Sequence, residues 1–594
     1  MEENGESSIK QIVSVHQAVK TLYLQPHTLN HFFAATKNKI QAAFIRDHPK
    51  KPKYMTDILL IQPPIRDFYL TAKRTMPYGL ACIAAALMES GFSVSILDGL
   101  ATSKARIQSL PEELSYLHPY YGKPDLSPFA LFHHFRHYGY SFDTIGQKAA
   151  ESGAFLVGIS ALFTPYAGEA MRTAQIVKAR LPEAKVVLGG HHPSALPASA
   201  MDSAAVDFVI RGEGEVAMPM LARALAEDGR TDAIPGLVSR KDDGNLKINP
   251  GTRMRNLDAY PLPATQLVDQ KFYRRKSGST AVIVASRGCP MKCSYCCVGN
   301  QPEPSYRRKR VATVISEIER FAGQTKSGFI DFEDENLSLD RRWFLRLLQE
   351  ITARFGGSRF ELRAMNGLYP PSLDEAVVKA MKTAGFKTLN LSLGSTCRKQ
   401  LSRFNRADVR ADFDRALDLA ERYDLDAVGY VICAAPFQHV EDSIEDLLYL
   451  AGRRVLAGLS VFYPAPGSRD YELSRRHGLL PDHFSAMRSS ALPLSHTTTR
   501  TETATLLRLA RILNFIKSLL DRGMSIPDPA GVDTRIDNPD NRMAVGQQLL
   551  GSFLKDGRIK GVTPQGEVYD HLISRSASSA FVAGLAQTNL KGTK

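Results

Sequence analysis

The stretch AVIVASRGCPMKCSYCC, residues 281–297, carries the most specific pattern in the chain. It begins as a short apolar run typical of a buried strand and continues as a loop with Cys289, Cys293 and Cys296 in C-x3-C-x2-C spacing. Thiolates are soft ligands that suit iron-sulfur clusters and zinc, and one tight loop can wrap three of them around a cubane. The stretch therefore predicts a metal centre on a loop that follows a strand.

The remaining cysteines and histidines help to distinguish the two kinds of metal centre. A structural zinc site needs further ligands, but Cys82, Cys397 and Cys433 stand alone, and the histidine cluster at 133–137 has no carboxylate that would complete a site. Three ligands leave one iron of a cubane open, which favours a cluster. Cys297 is adjacent but wrongly spaced, so we expect a small buried side chain outside the ligand set.

Downstream of this stretch, strand-like runs alternate with helical segments as far as residue 485. The runs are AVIVAS, GFIDFEDENL, RFELRAMNG, KTLNLSLGS, DAVGYVICAAP and LAGLSVFYPAPGS. Six such units predict a partial (β/α)6 barrel over residues 279–485, joined to the preceding region by a connector at 251–278. In such barrels the loops at the C-terminal ends of the strands carry the chemistry, so the cysteine loop is predicted at the active face.

A second alternating α/β series precedes the connector, over residues 55–250. The runs DILLIQPP, FSVSILDG, FLVGIS, KVVLGG and DFVIRGEGE are separated by helical stretches and by an insertion at about 100–150, so we predict a doubly wound, Rossmann-like parallel sheet. Ligands bind beyond the carboxyl ends of such strands. The candidate turns are Gln62–Pro64, Ser160–Thr164, Gly189–Ser194 and Arg211–Glu215.

The two ends of the chain carry weaker patterns. Residues 1–54 are predicted to form a helical extension with a basic linker, and the sequence does not indicate its role. Residues 486–594 are predicted to be mainly helical, and their last 20 residues to be loosely ordered. In TLLRLARILNFIKSLL, a core-facing side is predicted for Leu506, Leu509, Leu513, Ile516 and Leu520.

The cysteine loop, the strand before it and the Arg-Gly lead resemble the radical S-adenosylmethionine superfamily. FEDENLSLD (332–340) and YPAPGS (463–468) resemble that family's acidic post-strand segment and last-strand loop. The departure is at LSLGS, where Ser395 stands in place of a glutamate. The resemblance implies a 4Fe-4S cluster on Cys289, Cys293 and Cys296, with S-adenosylmethionine on its open iron. It implies further contacts to S-adenosylmethionine or substrate from Glu333, Ser392, Ser395, Arg403, Tyr463 and Pro466.

The N-terminal series resembles the cobalamin-binding domain that precedes the barrel in the class B radical S-adenosylmethionine methyltransferase-like enzymes. No D-x-H-x-x-G motif occurs, so the resemblance implies that cobalamin binds without a protein histidine ligand. Glycines at the strand ends would let the backbone approach a large cofactor. The implied cofactor contacts are Ser160, Thr164, Gly189, Gly190, His191, Ser194, Gly212 and Glu213.

The function implied by these resemblances is C-methylation of an unactivated carbon of a small-molecule or natural-product substrate. Cobalamin would carry the methyl group, and a radical from S-adenosylmethionine would remove the substrate hydrogen. Two alternatives stay open. One is radical cyclisation, rearrangement or coupling, as in the anaerobic magnesium-protoporphyrin ester cyclase, and the other is a non-catalytic cobalamin or redox sensor. A reducing partner such as flavodoxin or ferredoxin is expected to supply electrons.

Composition narrows the partners and the location. No run of 18 or more apolar residues occurs and the N-terminus lacks a signal-like pattern, so we expect a cytoplasmic protein with no membrane partner. Lys plus Arg exceed Asp plus Glu by 75 minus 61, which gives a net charge of +14. This charge allows an anionic substrate, nucleic acid or an acidic protein as a partner. Nucleic acid is disfavoured, because no RNA-binding aromatic signature or dense Lys/Arg block is present.

Overall fold

Two parallel β structures with packed helices account for most of the chain. The computed structural model describes residues 56–68, 76–275, 278–298 and 306–594, and Thr56–Lys594 form one compact unit. The predicted N-terminal extension, residues 1–54, and its basic linker lie outside the described residues.

The first half of the described chain corresponds to the predicted doubly wound region. Its strands are β1 (Ile58–Gln62), β2 (Ile65–Asp67), β3 (Val94–Asp98), β4 (Ala105–Gln108), β5 (Phe135–Tyr138), β6 (Leu156–Ser160), β7 (Lys185–Gly189), β8 (Phe208–Ile210), β9 (Leu237–Arg240) and β10 (Leu246–Ile248). Its helices are α1 (Tyr78–Glu89), α2 (His118–Tyr121), α3 (Phe142–Ser152), α4 (Ala167–Arg180), α5 (His191–Ala195), α6 (Pro197–Met201) and α7 (Gly214–Ala226).

Seven of these strands form one sheet in the order β10-β9-β8-β7-β6-β1-β3. The strands from β8 to β3 pair in parallel, while β9 and β10 continue the sheet in antiparallel fashion. The parallel strands thus have the chain order 2-1-3-4-5, which is the flavodoxin-like form of a doubly wound sheet. The order reverses between β1 and β6, so the ligand crevice is expected beyond these two strands.

Helices cover both faces of this sheet. Helices α1 and α7 pack on one face, and α3 and α4 pack on the other. The residues from Ile58 to Ile61 are therefore all buried, as expected for a central strand that reads as a continuous apolar run.

The predicted barrel is present as two three-stranded parallel sheets joined edge to edge. The sheets are β11-β14-β15 and β16-β17-β18, and the bridges Leu362↔Phe386 and Leu368↔Leu391 link them. Six parallel strands in chain order confirm the partial (β/α)6 architecture. The six barrel strands are β11 (Ser279–Ile283), β14 (Gly328–Phe332), β15 (Phe360–Arg363), β16 (Thr388–Gly394), β17 (Asp426–Cys433) and β18 (Leu456–Val461). Two short strands, β12 (Ser286–Arg287) and β13 (Arg307–Arg308), lie between β11 and β14 and form a separate pair.

Amphipathic helices surround the barrel and bury their apolar faces against its strands. They are α8 (Val311–Ala322), α9 (Arg341–Phe355), α10 (Glu375–Ala384), α11 (Arg398–Arg403), α12 (Arg410–Arg422), α13 (Val440–Ala451) and α14 (Arg469–Arg476).

The C-terminal region is mainly helical, as predicted. It contains α15 (Arg500–Leu520), α16 (Arg542–Asp556), the hairpin of β19 (Lys560–Val562) and β20 (Val568–Asp570), and α17 (Arg575–Ala586). The predicted apolar face of α15 packs into the core, with Leu506, Leu509 and Leu513 fully buried. The expectation of a loosely ordered end was wrong, because α17 forms there and Thr593 hydrogen-bonds to Asp521.

The insertion between the first strands packs against this C-terminal region. Its strands β4 and β5 pair with β2 in an antiparallel sheet of order β2-β5-β4, and His137 of the histidine cluster lies in β5. Its Asp125 pairs with His571 at 2.8 Å, and its Tyr116 hydroxyl donates to the Ala491 carbonyl at 2.7 Å. Among the described residues, none of the helices has the length and apolar character needed to cross a bilayer.

Candidate functional site

The cysteine loop leaves the barrel at β12 and returns at β13. These two short strands pair antiparallel, with Arg287 opposite Arg307, so the base of the loop is closed. The cysteines lie just after β12, at the C-terminal end of β11, where the barrel pattern places the chemistry.

The acidic segment after β14 shapes the start of this loop. Asp334 is buried and accepts hydrogen bonds from the backbone N–H of Ala285 and from the N–H and hydroxyl of Ser286. Glu335 accepts from the Gly288 N–H at 3.1 Å. Desolvation raises the pKa of Asp334 to about 7, against the opposing effect of these donors. Asp334 and Glu335 therefore bind the backbone at the start of the cysteine loop.

The three predicted ligands lie on one loop outside any disulfide, and the sulfur atoms of Cys289 and Cys296 receive hydrogen bonds. Cys293 is buried, while Cys289 and Cys296 are partly exposed. The Val298 N–H donates to Cys296 Sγ at 3.4 Å, and the Asn336 amide lies 3.9 Å from Cys289 Sγ. Donors aimed at cysteine sulfur are the contacts that stabilise and tune iron-sulfur clusters. The donor set thus fits a cluster bound through three cysteines.

A cluster and a single metal ion place different demands on this loop. In the described part of the chain, no three His, Cys, Asp or Glu side chains converge as a site for one metal ion. In a cubane each cysteine binds a different iron, so the three thiols do not have to converge on one point as they would around a single ion.

Cys297 lies where three parts of the molecule meet. A Cβ placed on Gly467, in the last barrel loop, would lie 3.7 Å from Cβ of Cys297 and 3.9 Å from Cβ of Ala195 at the end of α5. Burial raises the pKa of the Cys297 thiol, and the nearby Glu335 carboxylate adds to the shift. The cysteine loop therefore lies beside the ligand edge of the first sheet.

Arg406 is a site residue that the sequence did not reveal. Its guanidinium donates to the Ser392 carbonyl at 2.6 Å, to the Ser392 hydroxyl at 3.0 Å and to the Tyr295 hydroxyl at 3.1 Å. Its Nε is buried without a partner among the described residues. The end of β16 bends at Gly394, where φ is +88° and a Cβ would approach Arg406 Nε to 3.0 Å. Glycine at this position lets the guanidinium pack beside the cysteine loop.

Other predicted contacts in the barrel take different positions. Ser395 is fully buried and donates to Asp446 of α13, so it does not offer its hydroxyl at the strand ends. Arg403 donates to the Phe437 carbonyl at 2.7 Å on an exposed surface. We therefore leave both residues out of the binding set. Glu333 is partly exposed and accepts from Asn366 at 3.3 Å.

The remaining barrel candidates lie in the loop after β18. Tyr463 is one of the exposed large side chains, and Pro466 is partly buried in front of α14. Both are therefore available at the end of the barrel where the chemistry is expected.

The turns at the ligand edge of the first sheet touch one another. Ser160 pairs with Gly189 at the strand ends, and Thr164 is buried where its turn closes. At Gly190 φ is +120° and a Cβ would lie 2.7 Å from the Ala161 carbonyl oxygen, so only glycine permits the two turns to meet. The Gly189–Ser194 turn in turn binds the next one, since the Ser194 hydroxyl accepts from the Gly212 N–H at 2.9 Å.

His191 lies at this edge of the sheet, near Glu335 of the barrel. Its ring is solvent-accessible yet surrounded by protein, and desolvation lowers its pKa while Glu335 opposes the shift. Leu162 and Phe163, from the neighbouring turn, are exposed large apolar side chains. An exposed apolar group beside a polar rim indicates a ligand-binding surface.

A network of four charged side chains joins the Arg211–Glu215 turn to the base of the cysteine loop. Arg287 pairs with Glu215 at 2.5 Å, and Arg307 pairs with Glu213 at 2.8 Å. Glu213 also accepts from the Met254 N–H at 2.6 Å, so the connector shares the network. Glu213 was predicted to bind a cofactor; the structure corrects this, because its carboxylate binds the barrel.

The segment after the barrel covers this junction. Phe484 packs edge-on against the buried His192 ring at 5.0 Å. Arg488 pairs with Asp67 at 3.1 Å and donates to the Pro165 carbonyl. The Ser489 hydroxyl donates to the Val461 carbonyl at 2.6 Å, at the end of β18. The segment therefore contacts both the first sheet and the barrel.

Comparison with known proteins supports both halves of the site. Two family models match the chain: B12 binding domain over residues 131–222 and Radical SAM superfamily over residues 283–450. An uncharacterized methyltransferase of Pyrococcus horikoshii is 25% identical over 429 residues, which cover 71% of this chain and 84% of that protein. An anaerobic magnesium-protoporphyrin IX monomethyl ester cyclase of Cereibacter sphaeroides is 23% identical over 334 residues, 55% of this chain and 54% of that protein.

A solved structure shows the same fold. The radical S-adenosylmethionine methyltransferase TsrM of Kitasatospora setae, solved with cobalamin and a 4Fe-4S cluster bound, matches with a TM-score of 0.55 at 20% identity, covering 72% of this chain and 76% of that one. A flavodoxin-like sheet that meets a three-cysteine barrel loop defines an enzyme built around two cofactor domains. The chain therefore combines a B12 binding domain with a radical S-adenosylmethionine domain, and it is similar to enzymes that contain the same two domains.

Proposed function

We propose that this protein transfers a methyl group to an unactivated carbon of a small molecule. The observation that carries the proposal is the meeting of two ligand-binding edges. The turns of the cobalamin-type sheet and the C-terminal face of the barrel converge where Ala195, Cys297 and Gly467 adjoin. A methyl donor and a radical source must reach the same substrate atom, so this convergence is what C-methylation requires.

The residues around this junction divide into three proposed groups. When bound, the cluster with S-adenosylmethionine supplies a radical that removes a hydrogen atom, and cobalamin supplies a transferable methyl group. The cluster ligands are Cys289, Cys293 and Cys296. The barrel contacts are Glu333, Ser392, Arg406, Tyr463 and Pro466. The cobalamin contacts are Ser160, Thr164, Gly189, Gly190, His191, Ser194 and Gly212.

Within the barrel, Arg406 is proposed to hold the carboxylate of S-adenosylmethionine. The family's glutamate is replaced by Ser395, and Ser395 is buried against Asp446. Arg406 lies beside Tyr295 in the cysteine loop and carries a buried Nε–H without a partner in the described residues. An arginine fork matches a carboxylate in shape and charge, so this side chain can orient the ligand next to the loop.

The segment around Phe484 and Arg488 is proposed to keep bulk water out of the reaction space. It contacts the first sheet through His192 and Asp67 and the barrel through Val461. Excluding water protects a radical from side reactions and strengthens polar contacts to the substrate. We further propose a cytoplasmic enzyme reduced by flavodoxin or ferredoxin, consistent with seven cysteines that form no disulfide.

The test uses protein reconstituted without oxygen with iron, sulfide and cobalamin. It is incubated with a reductant, S-adenosylmethionine carrying a trideuterated methyl group, and a pool of candidate metabolites. We expect 5′-deoxyadenosine and S-adenosylhomocysteine to form, and one metabolite to gain the labelled methyl group by mass spectrometry. The Cys293→Ala variant, which lacks one cluster ligand, is expected to give none of these products.

The cyclase relative from Cereibacter sphaeroides supports a second candidate, a radical cyclisation or rearrangement. The same experiment separates the candidates. A changed metabolite with 5′-deoxyadenosine but without label or S-adenosylhomocysteine would overturn methylation in favour of cyclisation. An intact cluster that never cleaves S-adenosylmethionine would instead indicate a cobalamin or redox sensor.

A further inference from the structure

Part of the net charge of +14 lies close to the cysteine loop. Three segments meet there: 291–297 of the loop, 398–407 with α11, and 469–476 with α14. Together they contain eight Lys and Arg and two Asp and Glu, so eight minus two gives +6. Segments totalling 25 residues of 594 thus carry six of the fourteen net charges. A generally basic surface would not show this concentration.

Backbone hydrogen bonds fix these segments to the loop. The Ser294 N–H donates to the Phe404 carbonyl at 2.9 Å, and the Ser294 carbonyl accepts from the Asp470 N–H at 3.0 Å. The Asn405 amide donates to the Lys292 carbonyl at 3.0 Å. Helices α11 and α14 therefore lie beside residues 292–294 of the loop and form an exposed face with them. We call this exposed face, formed by Lys292, Arg398, Lys399, Arg469 and Arg476, the basic patch.

The cations of the basic patch are exposed and largely uncompensated. Arg398 has 85% of its side chain exposed and lies 3.9 Å from its nearest carboxylate, Asp408, which binds Arg410 more closely. Lys292 and Lys399 are exposed, and no carboxylate of the described residues lies within ion-pair distance of either one. Charges that the fold leaves unmatched do not stabilise it, so their concentration at one place indicates a binding surface.

We propose that the basic patch docks a small acidic protein that carries one electron to the cluster. The inference rests on the proposed function, because it assumes that the cysteine loop holds an iron-sulfur cluster. The step is a one-electron transfer: the carrier is oxidised by one electron and the cluster is reduced by one. No bond forms or breaks, and no proton moves.

Position and charge both favour this occupant. The patch includes Lys292, which precedes the proposed cluster ligand Cys293, so a carrier docked on the patch would lie close to the cluster. Cys297 of the loop adjoins the first sheet at Ala195, whereas Lys292 of the same loop is exposed, together with Arg398 and Lys399 of α11. Opposite charges steer such encounters and raise association rates at low salt. The carrier must bind and leave again for each electron that it delivers. Weak, transient complexes of this kind have small interfaces, so attraction between opposite charges suits them better than a large apolar interface.

The test measures binding and electron delivery separately. A fluorescently labelled acidic flavodoxin is titrated with the reconstituted protein at low and high salt. We expect the Kd to rise at least tenfold when Arg398, Lys399 and Arg476 are all changed to Glu, and to rise with salt in the wild type. The matched control changes Arg180, Arg223 and Lys241 to Glu, which are exposed residues of the cobalamin-type region, and should shift the Kd less than about twofold.

Cleavage of S-adenosylmethionine supplies the second readout. With reduced flavodoxin the patch variant should lose at least tenfold in rate, while with titanium(III) citrate it should equal the wild type. An unchanged Kd and flavodoxin-driven rate would overturn the patch proposal. So would loss of binding to a structured RNA with flavodoxin binding retained, because that result assigns the patch to nucleic acid. Absence of cleavage in the wild type with titanium(III) citrate would contradict the proposed function itself.

Discussion

The two sides of the cysteine loop use charge in opposite ways. On the inner side, Arg287 and Arg307 meet Glu213 and Glu215, so two positive charges face two negative ones in a mostly buried network. On the outer side, the basic patch presents exposed cations with few carboxylates. The loop thus separates a matched, buried interface from an unmatched, exposed one.

This difference indicates what each side does. A buried charge without a partner is costly, so the inner network holds the cobalamin-type sheet and the barrel in one arrangement. An exposed cation is solvated and contributes little to folding, so it is available to a partner. Substitutions on the inner side should therefore lower the stability of the protein, and substitutions on the outer side should weaken the binding of a partner.

The largest expected effect comes from the loop that separates the two sides. Replacing Cys289, Cys293 or Cys296 by Ala should abolish binding of about four irons per chain and the brown colour of anaerobically purified protein, because each thiolate holds one iron. Iron and sulfide analysis measures the effect. Cys297→Ala is the control and should keep the cluster; loss of iron in that variant, or zinc in the wild type, would show that the ligands are misassigned.

The inner network gives the next largest effect. Glu215→Ala removes the closest partner of the half-buried Arg287 and leaves it with Glu213 at 3.6 Å, so the cost should not exceed the about 3–5 kcal/mol of breaking a fully buried pair. We expect a lower thermal midpoint of unfolding and an altered electron paramagnetic resonance spectrum of the reduced cluster, since Arg287 is two residues from Cys289. Arg230→Ala is the control, because its pair with Asp232 is highly exposed and should contribute little. Equal midpoints for the two variants would contradict the distinction between the sides.

The sequence was sufficient to predict the architecture of both halves. Runs such as DILLIQ and AVIVAS are short, apolar and bounded by turn residues, and alternation with helices leaves few topologies open. The six barrel strands and the parallel sheet followed from this order. The end of the chain was mispredicted because α17 is rich in Ser and Ala, and its stability depends on tertiary packing of Phe581 and Leu585.

The site was predicted less completely, for a physical reason. Spacing within one loop identifies Cys289, Cys293 and Cys296, but it does not show which distant side chains return to that loop. Arg406 reaches the site because the chain folds back after α11. The Glu213 carboxylate forms an ion pair with Arg307, almost 100 positions away, and this pairing is not visible in the sequence. Ser395 stands at the position of the family's glutamate, yet its hydroxyl donates to Asp446 of α13.

A smaller effect is expected from Arg406, which lies between the two sides. Arg406→Met should weaken binding of S-adenosylmethionine roughly tenfold or more, because a charge-assisted hydrogen bond contributes about 1.5–3 kcal/mol. Equilibrium binding to the reconstituted protein measures this, with iron content checked alongside. Ser395→Ala is the matched control and should bind normally. If Ser395→Ala weakens binding and Arg406→Met does not, the assignment of these two residues is reversed.

The smallest expected effect lies at His192, where the covering segment meets the inner side. Its ring is buried against Phe484, and desolvation lowers its pKa to about 4, below the usual value near 6.5. Between these values the unfolded chain binds the proton more tightly, so this contribution to stability is complete above about pH 6.5 and decreases as the pH falls toward 4. At pH 5.5 the loss is about 1 kcal/mol, or about 1–2 °C in thermal midpoint. His192→Leu should lose less stability than the wild type between pH 7.5 and 5.5, whereas His483→Leu, an exposed histidine of the same segment, should behave like the wild type. Identical pH dependence in all three proteins would show that His192 is not held neutral by burial, and that the covering segment does not exclude water there.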